Sequence, residues 1–142
     1  MSLATFEKKL RNYIEENYPN AEFEFESDDT EIKAEDSFSI PIDGETYDFT
    51  LHLHITPTYA NIDFVFVDGV DTSGGFYEAV NDYNSKFNLL RAYAYEGDTL
   101  FLSNNFLFDE DTFINAFDET LAEFLDEDFL DDDLLPLLEF LE

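Results

Sequence analysis

The 142-residue chain contains no cysteine, which excludes a disulfide framework, a thiolate nucleophile and a cysteine zinc site. Basic residues are scarce as well: six Lys and Arg stand against 35 Asp and Glu, a formal net charge of −29. A field of that sign repels phosphate backbones and anionic lipid, so direct nucleic-acid or membrane-surface binding is excluded as a main activity. The first eleven residues mix acids with bases and hold no continuous apolar run. Neither a signal peptide nor a membrane span is therefore expected, and a cytoplasmic protein is. Only five Gly and four Pro are present, no run of them is long enough to be a linker, and there is no internal repeat. What the chain does have is 17 Phe and 8 Tyr in a composition that is 44% hydrophobic. A domain of this length buries about two-thirds of its unfolded surface, which gives those rings a core to occupy.

The apolar periodicity places the elements. Leu3, Phe6, Leu10, Tyr13, Ile14 and Tyr18 recur at three and four residues, which predicts an amphipathic helix capped by Ser2 and stopped by Pro19. From residue 21 the period drops to two: Ala21, Phe23 and Phe25, then Ile32 and Ala34, alternate with Glu and Lys around a Ser27-Asp28-Asp29 turn. Phe38 and Ile40 extend that face to Pro41, which confines the stretch to an edge or a strand end. Asp43-Gly44 then predicts a tight hairpin, followed by Tyr47, Phe49, Leu51, Leu53 and Ile55 on one face. Residues 60 to 67 predict a further strand. Phe76, Ala79, Val80, Tyr83 and Phe87 return to helical spacing, over about 75 to 88. Two strands at 89 to 95 and 99 to 106 flank the Glu96-Gly97-Asp98 turn, and a helix capped by Asp109 presents Phe113, Ile114, Phe117, Leu121, Phe124 and Leu125. Beyond it, acids mix with leucines around Pro136, which limits the end of the chain to two short helical pieces. The expectation is one α+β domain over residues 1–126, an antiparallel meander with flanking helices in the order α-β-β-β-β-α-β-β-α. An acidic-apolar appendage follows at 127–142.

The stretch Phe76-Tyr77-Glu78-Ala79-Val80-Asn81-Asp82-Tyr83-Asn84-Ser85-Lys86-Phe87 leads into Arg91-Ala92-Tyr93-Ala94-Tyr95, an acidic turn, Leu100-Phe101-Leu102 and a helix with Phe113 and Phe117. In wording and order, residues 76–125 resemble the bacterial YbjN-like family, whose fold is similar to that of type III secretion chaperones. The resemblance implies an α+β sandwich of one sheet with helices, and a binding module without catalytic residues to carry over. The acidic hairpin at 21–35, the extreme charge and the apolar-acidic end depart from that pattern.

Thirty-five carboxylates guarantee close pairs by chance, so a pair by itself reads as solvated surface. Ser73-Gly74-Gly75 lacks the lysine of a phosphate loop, and the acidic runs lack the spacing and central glycine of a calcium loop. His52 and His54 share one strand face with Asp48, and Asp63 is expected on the neighbouring strand. They could bind zinc if a third ligand converged, and otherwise are cross-strand hydrogen-bonding partners. No metal, cofactor or catalytic residue is assigned.

The charge is asymmetric: residues 92–142 hold 16 acids and no base. Three uses compete for it. The acids can keep a groove-bearing chaperone or adaptor soluble and attract a basic partner; they can mimic a phosphate backbone or neutralise a basic toxin; or they can be an adaptation to high salt. The first is the principal reading, with Tyr93, Tyr95, Phe101, Leu134, Leu137, Leu138 and Leu141 as partner-binding candidates in a homodimer. The second is the alternative, carried by Asp109, Glu110, Asp111, Asp118, Asp126, Asp128, Asp131, Asp132 and Asp133. The leucines have two possible positions, docked on a partner or a second copy, or packed back on their own domain.

Overall fold

A computed structural model describes residues 2–86, 88–96 and 98–142, without the side chain of Tyr95. Phe87 and Gly97, which sequence spacing placed in a helix and a turn, lie outside the described residues. The elements are α1 (Leu3–Asn17), β1 (Glu24–Ser27), β2 (Ile32–Ile42), β3 (Glu45–Ile55), β4 (Tyr59–Phe66), α2 (Phe76–Asn84), β5 (Arg91–Tyr95), β6 (Thr99–Leu107) and α3 (Glu110–Phe124). A π-helical segment, Phe129–Leu134, and α4 (Leu135–Leu138) complete the chain. The strands form one antiparallel sheet in the order β1-β2-β3-β4-β6-β5. The architecture is therefore α+β, with the expected element order through α3.

The starts of the two long helices follow from their sequence. The Ser2 side chain accepts the Thr5 N–H at the head of α1, and Asp109 accepts the Thr112 N–H at 3.2 Å at the head of α3. Asp43 and Gly44 both have positive φ, 51° and 84°, the geometry of the two-residue turn that closes β2 on β3. In such a hairpin Ile42 and Glu45 form the closing hydrogen-bonded pair, so Pro41, opposite Thr46, turns its nitrogen outward and loses no ladder bond. That reconciles Pro41 with its place inside a strand.

Alternation divides the sheet. Ile32, Ala34, Ile40, Phe49, Leu51, Leu53, Ile55, Ala60, Ile62, Phe64, Phe66, Leu100 and Leu102 are buried on one face beneath α1, α3 and the C-terminal segment. The other face carries Lys33, Glu35, Thr50, His52, His54, Asp63, Phe101 and Tyr93, and among the described residues no helix lies over it.

Two elements differ from their sequence reading. The first strand starts at Glu24 rather than Ala21, because the Ala21 N–H bonds to Tyr18 and the Glu22 N–H is taken by the Asp36 carboxylate at 2.7 Å. Helix α2 ends at Asn84, whose side-chain amide both donates to and accepts from the backbone of Ala92, at 2.9 Å each way. Asn84 thereby occupies part of the outer edge of β5, a position where a foreign strand would otherwise pair. The end of the chain forms the two short helical pieces expected around Pro136, the first of them π-helical. Pro136 cannot donate a hydrogen bond and its ring crowds the carbonyl four residues back, so the preceding turn widens, with the Leu135 N–H reaching the Leu130 carbonyl.

That end is part of the domain and not an appendage. Phe129, Leu130, Leu134, Leu137 and Leu138 are buried in the common core, Val70 pairs with Leu141, and the Asp71 N–H bonds to the Phe140 carbonyl at 2.8 Å. The partner-docking assignment of Leu134, Leu137 and Leu138 is corrected accordingly, since a side chain with no more than 2% exposure offers no surface to a second protein. Leu141 is half-buried beside them.

Candidate functional site

The helical layer does not reach one corner of the sheet. The turn after α1, the end of α3 and strands β2 and β3 surround an apolar cleft of about 490 Å³. Its walls are mainly rings: Phe23, Phe38, Phe49, Phe64, Phe117 and Phe124. Leu121 and Leu125 form the α3 side, and Leu125 is 60% exposed at the rim. The rings are held by one another. Phe124 stacks on Phe64 at 4.0 Å and lies 4.9 Å from Phe49, and Phe38 stacks on Phe49 at 5.7 Å. No Lys or Arg lines the cleft, and Glu22 and Asp126 stand next to lining residues in the sequence.

The cleft has an open strand along one side. Strand β1 pairs only with Ile32–Glu35, and among the described residues no strand covers the rest of β2 on that side. Phe38 and Ile40, which line the cleft, belong to that uncovered length.

The uncovered sheet face carries a polar row in which His52 lies opposite both Glu35 and Asp63, and Asp63 opposite Ser103. His52 Nδ1 is 3.4 Å from Glu35, His54 Nε2 is 3.3 Å from Glu31, and Ser103 bonds to the Tyr93 hydroxyl at 3.1 Å. Among the described residues no three His, Asp or Glu side chains converge closely enough to hold a metal ion. Burial pushes the Asp63 carboxyl above its ordinary range, against the Ser103 hydrogen bond and the two histidines, and one of its oxygens is buried with no partner among the described residues. A carboxyl of that kind binds its proton more tightly folded than unfolded, so its contribution to stability falls as pH rises above the ordinary Asp range. Asp63→Asn keeps the acceptor and removes the charge. Thermal melts are expected to show it more stable than the parent at pH 7, with the gap closing towards about pH 4.

Tyr93 and Phe101 stack at 5.1 Å on this same face, Tyr93 39% exposed. They lie together, away from the C-terminal leucines with which they were grouped, and the Tyr95 side chain is outside the described residues. The acidic candidates separate into two groups. Asp109, Glu110 and Asp111 sit at the start of α3, and Asp126, Asp128, Asp131, Asp132 and Asp133 beyond its end, about 22 Å away for 15 residues. Several have local partners: Asp126 caps the turn at Asp128 and Phe129, Asp111 is 3.9 Å from Lys9, and Asp133 is 3.2 Å from Lys86. Asp118 is a correction. It is half-buried and accepts the hydroxyls of both Tyr13 and Tyr18, tying α1 to α3. Its hydrogen bond raises Tyr13 to about 12, and burial together with Asp118 raises Tyr18.

In the sequence the cleft residues have the spacing of ordinary core. The signal that was present is the width of the α3 stripe: Phe113, Phe117 and Phe124 suffice for a buried face, while Leu121 and Leu125, four apart, extend it past the core. Comparison with family models, with curated proteins and with solved structures gives no match. No helix of the described residues is long and apolar enough to cross a membrane.

Proposed function

We propose that the protein is a noncatalytic binding module, a chaperone, adaptor or regulator, that holds an apolar segment of a basic partner in the phenylalanine cleft. The observation that carries this reading is the opening of the core between β2 and α3, where half-buried Phe23 and Phe38 and exposed Leu125 border a mouth lined by no Lys or Arg, above the buried rings of Phe49, Phe64, Phe117 and Phe124. An extended segment can lie along the uncovered length of β2, with alternate side chains in the cleft. The net charge of −29 attracts a basic partner and speeds its encounter, while the rings supply the contact that outlasts salt. The phosphate-mimic alternative asks for a continuous row of carboxylates. It is weakened by the separation of the two acidic groups along α3 and by the local partners of their members.

A photo-crosslinking amino acid placed at Leu125 tests this in cells of the source organism, with the same group at Thr50 on the uncovered sheet face as the control. Adducts from position 125 that persist through a wash at moderate salt are expected, with few or none from position 50. Equal labelling from both positions, or adducts lost entirely to salt, would sink the cleft reading.

A further inference from the structure

The C-terminal segment is held by apolar contacts and opposed by polar ones. Phe129 packs on Tyr83 of α2 and on Phe124 of α3, with centroids 6.1 and 6.4 Å apart, and Phe140 packs on Phe76 at 5.5 Å. Beneath it the Tyr83 hydroxyl and Glu123 Oε2 are both buried with no hydrogen-bond partner among the described residues, each having given up the water it had in the unfolded chain. The groups acting on the Glu123 carboxyl come from every neighbour. Tyr83 faces it from α2, the Leu89 and Leu90 N–H groups from the loop before β5, Asp126 from the turn after α3, and Asp133 from the π-helical segment. Asp128 and Asp132 share the same surface hollow, and Lys86 answers this charge through Asp133 at 3.2 Å. Burial raises the Glu123 carboxyl above its ordinary range. The two N–H groups oppose that shift, and Asp133 and Asp126 add to it.

Phe124, the residue after Glu123, belongs to both regions. Its ring touches Phe129 of the C-terminal segment and stacks on Phe64 in the cleft. Leu121 and Leu125, on the same last turns of α3, are the cleft wall.

We propose that residues 126–142 form a latch over the end of α3, closed while Glu123 carries its proton and loosened when Glu123 ionises against Asp126 and Asp133, and that the latch sets the width of the cleft through Phe124. The segment is a two-state element whose equilibrium one proton biases, and α3 carries the bias to the cleft because the ring that supports the latch also supports the wall. The coupling to the cleft rests on the binding reading above; the latch does not.

Amide hydrogen exchange of residues 126–142 in the full chain, measured from pH 5 to 8, tests it. Each value is read as the ratio of the parent to Glu123→Gln, so that the chemical pH dependence of exchange cancels. Gln keeps the shape and cannot ionise. The ratio is expected near one at low pH and to climb by up to about tenfold per pH unit above the Glu123 midpoint. A flat ratio overturns the latch. Tyr83→Phe deletes the unpartnered hydroxyl and is expected to slow exchange in the same segment, and unchanged or faster exchange counts against the proposal even where the Gln variant does not fold. Nile red, a neutral apolar dye, reads the cleft in parallel. Its binding should rise with segment exchange in the parent and stay constant in Glu123→Gln. Binding that ignores a rising exchange ratio overturns the coupling, whereas no dye binding at any pH counts against the cleft itself and leaves the exchange ratio to decide the latch.

Discussion

Phe64→Ala is expected to cost about 3–5 kcal/mol and to lower the melting temperature by about 10–15 °C. Phe64 is fully buried at the centre of β4, stacked on Phe124 at 4.0 Å with planes 10° apart and 5.7 Å from Phe49. Deleting its ring removes the surface on which the end of α3 sits and leaves a hole that β-sheet backbone cannot collapse to fill. Domains of this size hold about 5–15 kcal/mol in total, so the loss is a large fraction of what keeps the chain folded. Phe64→Leu, which keeps most of the volume, should recover more than half of it. Denaturant unfolding with an unchanged slope measures both. A cost under about 1 kcal/mol for the Ala variant would mean that α3 is not seated on β4 in the manner described.

Added salt is expected to have the next largest effect. Raising sodium chloride from 10 mM to 1 M shortens the screening length from about 30 Å to about 3 Å, which removes most of the self-repulsion of a chain with net charge −29. The melting temperature should rise by about ten degrees. Six basic residues cannot neutralise 35 acids within the fold, and of the ion pairs present, Lys9–Asp111 at 3.9 Å and Lys33–Glu31 at 3.0 Å lie at the surface, where such pairs contribute little. Calorimetry across the salt series provides the measurement. A melting temperature that falls or stays level would show that the acids are already compensated, and the charge would lose its meaning as an attraction for a basic partner.

The parts of the structure that sequence made legible are those governed by local rules. Alternation at Phe49, Leu51, Leu53 and Ile55 defines which face of β3 is covered, Asp43-Gly44 defines the turn, and Asp109 the start of α3. What sequence did not reveal depends on contacts far apart in the chain. Asp118 reads as one more surface acid on α3, and only the approach of α1 brings Tyr13 and Tyr18 to it. The leucines from 134 to 141 have the same spacing whether they dock on a partner or on their own domain, and the segment is held on its own domain by Phe129 against Tyr83, Phe140 against Phe76 and Leu141 beside Val70. The cleft is the clearest case, because it is defined by where helices fail to cover the sheet, and no single element carries that information.

Selection from a randomised peptide-display library on the folded protein, repeated on Leu121→Glu, addresses the binding role directly. Leu121 is half-buried on the cleft wall, so a carboxylate there spoils the apolar surface with little cost to the core. The cleft reading requires enriched peptides in which Leu, Ile or Phe residues are flanked by Lys and Arg, bound by the parent and lost on the Leu121→Glu protein. Peptides without an apolar core, or apolar-basic peptides held equally well by both proteins, would contradict it.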